Sequence, residues 1–264
     1  MFRQKHTPAE IAGSLIGPSA AARELREETE LAARVGARVM LAGEYGVGKR
    51  RVGRLIHRHS IRCHGPFITV RCDHRQAQGD HLERRIFGER GIVRGALTRA
   101  DGGTVFFQDL ETLSARLQDR LMEFLVTGEV KPIGVNAGGT ANVRLLTATT
   151  SKLIEKVESG DFRSDLYYLL NPMLIQIAPL RERSEDVEPL LEYFTRYYAR
   201  RHGLGSPRLS AESRLACRLY PWPGNLRQLQ AAAAMFASSP SCSDAEDLTG
   251  RFLRPTEQEY PTPA

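Results

Sequence analysis

The most constraining feature of this sequence is the segment Gly43–Arg50, which reads Gly-Glu-Tyr-Gly-Val-Gly-Lys-Arg. It follows an aliphatic run, Val39–Ala42, and precedes a helix-compatible stretch, Arg51–His59. A strand, a glycine turn, a lysine and a helix in this order are typical of a phosphate-binding loop, in which backbone N–H groups and the helix N-terminus face phosphate oxygens. The alternative is a glycine-rich turn that holds no ligand, and the complete context favours the phosphate loop.

The loop supplies most of the predicted nucleotide-binding residues. Lys49 is placed to reach the outer phosphates, whereas Arg50 departs from the motif. A Ser or Thr after the lysine would place a hydroxyl on Mg²⁺, and a guanidinium cannot ligate a cation. The predicted loop ligands are Gly43, Glu44, Tyr45, Gly46, Val47, Gly48, Lys49 and Arg50.

The composition fits a soluble globular protein with a sizeable core, because 41% of the 264 residues are hydrophobic. The net charge of +6 raises the question of a nucleic-acid partner. The basic residues are spread out and lack interleaved aromatic residues, which argues against direct DNA binding. The sequence shows neither a membrane span nor a signal peptide, so we expect a cytoplasmic protein.

Strands and helices alternate as far as Pro179, and only helices follow Asp186. This order predicts an α/β fold, a doubly wound parallel sheet, followed by a helical lid. A first helix is predicted over residues 20–35, with Leu25 and Leu31 facing inward. The predicted divisions are a leader (1–13), an α/β core (14–179), a helical lid (180–238) and a flexible tail (239–264). The predicted strands are 38–42, 67–70, 104–107, 143–148 and 173–177.

Several segments in this order resemble the AAA+ ATPase domain of bacterial enhancer-binding proteins, also called the sigma-54 interaction domain. The resemblance covers about residues 14–240 and includes the phosphate loop. Its other segments are Leu15-Ile16-Gly17, Ile86-Phe87-Gly88, Ala100-Asp101-Gly102-Gly103-Thr104, Gly160-x-Phe162-Arg163-x-Asp165-Leu166-Tyr167-Tyr168, Pro179-Leu180-Arg181-Glu182-Arg183 and Trp222-Pro223-Gly224-Asn225-Leu226-Arg227.

The resemblance implies ATP as the ligand and a ring of like or related subunits. Ile16 and Gly17 would lie near the adenine base, and Lys49 would hold the β and γ phosphates. Arg227 would be the lid arginine that senses the nucleotide. Arg163 would reach a neighbouring subunit's site as an arginine finger. The plainer interpretation of both arginines is surface salt bridging.

This chain departs from the family's pattern where the chemistry occurs. After the apolar strand the family has Asp-Glu, which hold Mg²⁺ and position the attacking water; here the two residues are Gln108 and Asp109. In a shifted register Asp109 could take the metal, which would leave no base beside it. The family's Asn at the end of the second strand is Arg71, and a second arginine of the family is replaced by Leu169. The sensor position is Thr150, which keeps a hydroxyl.

A further departure lies between Gly88 and Gly102. There the family carries a longer insertion with Gly-Ala-Phe-Thr-Gly-Ala, the sequence that contacts sigma-54. This chain has only residues 89–99 in between, without the phenylalanine. We therefore expect remodelling of sigma-54 polymerase by that loop to be lost. A helix-turn-helix segment after Phe236 is also not evident.

Three hypotheses follow from these patterns. The first is a nucleotide-binding regulatory AAA+ domain of the sigma-54 activator type, with weak or no ATP hydrolysis and at most a weakly held Mg²⁺. The second is a working ATPase that remodels another protein, with Asp109 as metal ligand or catalytic carboxylate. The third is an interaction module that joins mixed rings without nucleotide. In each case the protein target is unknown and could belong to the transcription machinery.

Overall fold

The chain divides into two compact units in the computed structural model, which describes residues 15–72, 81–135, 138–203 and 210–238. Within these residues the first unit is Glu24–Ile177, and the second contains Leu15–Arg23 and the chain from Ala178 onward. The sequence places residues 14–23 in the α/β core, whereas the structure groups Leu15–Arg23 with the helical unit. The predicted leader (1–13) and tail (239–264) lie outside the described residues.

A five-stranded parallel sheet forms the centre of the first unit, as predicted. The strands of the described residues are β1 Val39–Ala42, β2 Phe67–Arg71, β3 Gly88–Glu89, β4 Val93–Arg94, β5 Thr104–Gln108, β6 Glu129–Val130, β7 Gly139–Thr140, β8 Arg144–Thr149 and β9 Leu174–Gln176. The parallel sheet has the order β2-β5-β8-β1-β9, and the short antiparallel pairs β3-β4 and β6-β7 lie outside it.

The central strands bring three carboxyl ends to one edge of the sheet. β5 is fully apolar from Val105 to Phe107, and these side chains are fully buried, as expected for a strand covered on both faces. The register pairs Ala42 of β1 with Thr149 of β8, and Gln108 of β5 with Ala148 of β8. The residues that follow β1, β5 and β8 therefore meet at the edge where doubly wound sheets bind ligands.

Helices cover this sheet, and one prediction about them is wrong. In the first helix Leu25 is buried, as predicted, but Leu31 is 54% exposed. The two leucines are six residues apart, so their side chains point in directions about 120° apart around a helix. The helices are Ala20–Val35, Lys49–Arg58, His81–Phe87, Ala96–Arg99, Ala115–Thr127, Lys152–Glu158 and Ser164–Leu170, with a short 3-10 helix at Leu110–Thr112.

The second unit is helical in its described part, as predicted. Its centre is the fully buried Trp222, whose Nε1 donates to the Cys217 carbonyl at 2.7 Å. Asn225, with φ of 50°, accepts the Leu180 N–H on its Oδ1 at 2.7 Å. The Trp-Pro-Gly-Asn segment therefore fixes the core of this unit. Its elements are the 3-10 helix Leu180–Asp186 and the helices Val187–Arg201, Ala211–Leu219 and Asn225–Ser238.

Candidate functional site

The predicted phosphate loop begins directly after β1, and its glycines give it a curled backbone. Gly43, Gly46 and Gly48 have φ values of 150°, 81° and 107°, which residues other than glycine rarely adopt. A Cβ on Gly43 would lie only 2.7 Å from the Ile177 carbonyl oxygen. The Gly43 N–H donates to the Thr149 carbonyl at 3.3 Å, which ties the loop to the end of β8.

Lys49 opens the helix that follows the loop, and its ammonium turns back into the loop. The Nζ donates to the carbonyl oxygens of Gly43 at 2.5 Å and of Glu44 at 3.0 Å. Burial lowers the pKa of Lys49, and nearby carboxylates oppose this, Glu111 most strongly and then Asp109. The predicted phosphate ligand is therefore a partly desolvated cation that bonds neutral carbonyls.

Positive charge is concentrated at the start of the helix Lys49–Arg58. Lys49, Arg50 and Arg51 occupy its first turn, which contains no acidic residue. The dipole makes a helix N-terminus unfavourable for cations, by roughly 0.3–1 kcal/mol for each. A bound anion would offset that cost. The side chains of Tyr45 and Arg50 are exposed, so neither is buried inside the loop.

The end of β5 carries the two residues predicted to replace the family's Asp-Glu. Gln108 ends the strand and is half-buried, and Asp109 follows with φ of 58° and ψ of 48°. The Oδ2 of Asp109 lies 3.6 Å from the Nε of Arg71, at the end of the neighbouring β2. Two departures from the family's pattern therefore form an ion pair with each other.

Glu111 is a site residue that the sequence did not single out. It lies in the 3-10 helix after β5, is 8% exposed, and its carboxylate reaches the end of β8. Its Oε2 accepts from the Thr149 hydroxyl at 3.0 Å, and its Oε1 accepts from the hydroxyl and N–H of Thr150 at 2.8 and 3.3 Å. The sequence offered one signal for Glu111: it lies three residues beyond the end of β5, at the same edge of the sheet as the phosphate loop.

The residues at this edge do not fit a magnesium site. Mg²⁺ requires oxygen ligands in near-octahedral geometry, usually including one or two carboxylates. Arg50 offers no lone pair, Gln108 carries no charge, and Asp109 is paired with Arg71. Both carboxylate oxygens of Glu111 accept hydrogen bonds. The described residues also contain no group of three or more His, Cys, Asp or Glu suited to a metal ion.

Arg163, the predicted arginine finger, is held by carboxylates of its own chain. Its Nε and NH2 groups bond the two carboxylate oxygens of Asp165 at 3.0 and 2.7 Å. Its NH1 group bonds Asp119 at 2.5 Å. These bonds lower the pKa of Asp165. All three side chains are exposed, so the plainer interpretation describes this chain, and the role in a neighbouring site stays a prediction.

Ile16, Gly17 and Arg227 belong to the second unit. Ile16 packs against the helical core, and a Cβ on Gly17 would lie 2.3 Å from the Asp186 carboxylate. That carboxylate accepts from the N–H and hydroxyl of Ser19 at 2.9 and 2.8 Å. Arg227 is exposed near the start of its helix. The roles of the three residues toward adenine and nucleotide stay predictions.

The shortened segment between Gly88 and Gly102 forms a small hairpin followed by one helical turn. Gly88 pairs with Arg94 and Glu89 with Val93. A Cβ on Gly95 would lie 2.3 Å from the Phe87 carbonyl carbon, so the base of the hairpin is closed tightly. Ile92 at the tip is 75% exposed.

Two family models match this chain. The sigma-54 interaction domain matches residues 15–176, and the AAA+ ATPase lid domain matches residues 181–262. The chain belongs to the sigma-54 interaction domain family. XylR of Pseudomonas putida is 38% identical over 225 residues, which are 82% of this chain and 39% of XylR. ZraR of Klebsiella oxytoca is 37% identical over 263 residues, 97% of this chain and 56% of ZraR.

Solved structures confirm the predicted fold of this sigma-54 interaction domain. NtrX from Brucella abortus in complex with ADP is 28% identical with a TM-score of 0.85, covering 93% of this chain and 58% of NtrX. NtrX in complex with ATP has a TM-score of 0.83 at the same identity, with 90% and 57% covered. The chain is thus an AAA+ P-loop domain of the sigma-54 activator type, and it spans about half the length of its curated relatives. Among the described residues no helix has the length and apolar character needed to cross a bilayer.

Proposed function

We propose that this domain binds ATP through the loop Gly43–Arg50 and acts in transcription regulation with weak or no ATP hydrolysis. The observation that carries this proposal is a contrast along one sheet edge. Lys49 donates to two backbone carbonyls of its own loop, whereas Asp109 is paired with the Arg71 side chain and Glu111 is bonded to the Thr149 side chain. The edge therefore offers an anion site beside acidic groups that are engaged elsewhere.

Nucleotide binding follows from the loop's chemistry. Curled backbone N–H groups, a helix N-terminus and Lys49 together form a site for phosphate oxygens. An incoming phosphate would replace the neutral carbonyl partners of the ammonium with an anionic one, which adds the attraction between opposite charges to the hydrogen bond. NtrX, which shares this fold, has structures with ADP and with ATP, and these support ATP as the ligand here.

Weak or absent hydrolysis follows from the end of β5. Splitting a triphosphate requires an attacking water in line with the outer phosphate and charge neutralisation around it. Gln108 carries no charge, and Asp109 points toward Arg71. A misplaced reacting group can cost a factor on the order of a hundred. The residues present thus support binding better than turnover.

The partners of this domain are proposed from its family and from the hairpin. The hairpin at 88–94 lacks the phenylalanine-bearing insertion, so we infer that the domain does not remodel sigma-54 polymerase by that loop. Assembly with itself or with related AAA+ subunits in a ring would give Arg163 a neighbouring site to reach. The location proposed for these interactions is the cytoplasm, and the protein target would be part of the transcription machinery.

Calorimetric titration of the purified chain with ATP tests the proposal. We expect saturable binding that Lys49→Ala weakens by roughly ten- to a hundredfold, while Arg58→Ala, at the far end of the same helix, leaves it intact. No heat of binding up to millimolar ATP would reject the proposal. A phosphate-release assay on the same proteins separates the alternatives, because turnover that disappears in Lys49→Ala would identify a working ATPase.

A further inference from the structure

The residues nearest to where a divalent cation would lie are committed to other partners, and this inference rests on the proposed nucleotide site. Arg50 directly follows the loop lysine, at the position where phosphate loops often present a hydroxyl to the metal. Asp109 has its carboxylate 3.6 Å from the Arg71 guanidinium. A divalent cation entering here would meet the guanidinium of Arg50 and would have to separate the carboxylate of Asp109 from the guanidinium of Arg71.

Glu111 offers no better ligand, because both its oxygens are already hydrogen-bonded. Three donors of Thr149 and Thr150 converge on this carboxylate at 2.8 to 3.3 Å. Glu111 is also buried. A cation that took these oxygens would displace the two donors of Thr150, which are partly buried, and losing hydrogen bonds to a charged group costs free energy. Glu111 therefore holds the end of β8 through its hydrogen bonds.

Positive charge lies at the start of the helix that follows the loop. Lys49 and Arg50 occupy its first two positions, and the Arg50 side chain is exposed. A guanidinium presents several N–H donors that match phosphate oxygens, often two at a time. Since Mg²⁺ on a nucleotide mainly neutralises and orients the phosphates, a cluster of permanent cations at the same helix end can do part of that work.

We propose that this site binds its nucleoside polyphosphate as the metal-free anion, with Arg50 supplying charge that a divalent cation would otherwise bring. The proposal deepens the nucleotide-binding function and concerns only the form of the ligand. The end of β5 supplies no carboxylate to a metal, so it contributes to the preference for the metal-free nucleotide.

Titration of ATP into the full chain, in excess EDTA and in excess Mg²⁺, tests the proposal. We expect the two dissociation constants to agree within about threefold, or Mg²⁺ to weaken binding, where tenfold corresponds to about 1.4 kcal/mol. Binding that is tenfold or more tighter with Mg²⁺ would overturn the proposal and leave nucleotide binding itself established. No binding in either buffer would overturn the proposed function as well.

The variant Arg50→Ser probes the arginine directly. We expect it to weaken ATP binding in EDTA by about tenfold, the typical worth of a charge-assisted contact, and to make binding respond to Mg²⁺. The matched control is Arg58→Ser, an exposed arginine about two turns farther along the same helix, which should bind ATP like the wild type. Equal losses in both variants would show a general effect of charge and would overturn the role given to Arg50.

The double variant Arg71→Asn with Gln108→Asp tests the other half of the proposal. It releases Asp109 from its cation and adds a carboxylate at the end of β5, so Mg²⁺ should now tighten ATP binding at least tenfold. Thermal unfolding checks that the fold is retained, which we expect because Arg71 is an exposed residue at the end of its strand. A folded double variant that still ignores Mg²⁺ would show that these residues do not exclude the ion, against the proposal.

Discussion

The ends of β1 and β5 lie at the same edge of one sheet, yet they differ in how their polar groups are used. After β1, Lys49 donates to two backbone carbonyls of the loop itself. After β5, Asp109 pairs with Arg71 and Glu111 bonds two threonines. The ammonium of Lys49 can therefore exchange its carbonyl partners for phosphate oxygens, whereas the carboxylates of Asp109 and Glu111 are held in contacts within the protein.

The difference shows that binding and splitting of a nucleotide depend on different kinds of residues. Phosphate binding uses backbone N–H groups, a helix end and one lysine, so it tolerates most changes of side chain. Hydrolysis depends on a few carboxylates whose positions must be accurate to within about an ångström. Side-chain changes at one strand end can therefore alter turnover while the loop two strands away keeps its shape.

The largest effect is expected at the β1 end. Replacement of Lys49 by Ala removes a charge-assisted contact worth about 1.5–3 kcal/mol, which corresponds to a loss of roughly ten- to a hundredfold in ATP affinity. Calorimetry on the wild type, Lys49→Ala and Lys49→Arg measures it, and the arginine variant should lie between the other two. Unchanged affinity in Lys49→Ala would place the nucleotide somewhere other than this loop.

At the β5 end we expect an effect on stability. Glu111→Ala removes the acceptor of two Thr150 donors and one of two acceptors of the Thr149 hydroxyl, which also donates to the Thr150 carbonyl at 3.1 Å. Leaving such partly buried donors unsatisfied costs about 1–3 kcal/mol. Urea unfolding followed by circular dichroism measures the loss. Glu111→Gln keeps the shape and an acceptor oxygen, so it should lose less. If both variants are as stable as the wild type, Glu111 does not hold the end of β8.

The sequence predicted the parts of the fold that depend on local pattern. The parallel sheet, the helices after Asp186 and the burial of Val105–Phe107 follow from alternation, spacing and apolar runs. The prediction for Leu31 failed because two leucines on one helix need not share a face. The boundary at residue 14 differs from the structure because a short segment can join a unit that is distant in the sequence.

The site was predictable where it is a motif and less so where it is a set of tertiary contacts. The loop and Lys49 are contiguous, whereas Glu111 and Thr150 are 39 residues apart and meet only because β5 and β8 are neighbours. The pair Arg71 and Asp109 likewise joins residues of adjacent strands. The ion pair itself was not predicted, because it depends on the ends of two adjacent strands meeting in the sheet.

The pH dependence of ATP binding sharpens the contrast between the two ends. Burial lowers the pKa of Lys49 below its usual 10.5. A bound phosphate stabilises the ammonium and raises that pKa again, so binding takes up protons once the pH approaches the lowered value. Affinity should therefore fall with rising pH, starting below 10.5, while the Lys49→Arg variant should show no such fall. Calorimetry in buffers of different ionisation enthalpy measures the proton uptake. If no protons are taken up near the pH at which affinity begins to fall, Lys49 is not the group that binds the phosphate.

The smallest effect is expected at Arg163. Like Arg71, it pairs with carboxylates, but its ion pairs are exposed, whereas Glu111 is buried. The bonds of Arg163 to Asp119 and Asp165 are exposed, and solvent screening makes exposed ion pairs contribute little to stability. Arg163→Ala should cause no measurable change in the free energy of unfolding and should leave ATP affinity of the isolated chain unchanged. Urea unfolding and calorimetry check both, with Asp119→Asn as the control that removes one bond from the other side. A loss as large as that of Glu111→Ala would show that burial is not what separates these two networks.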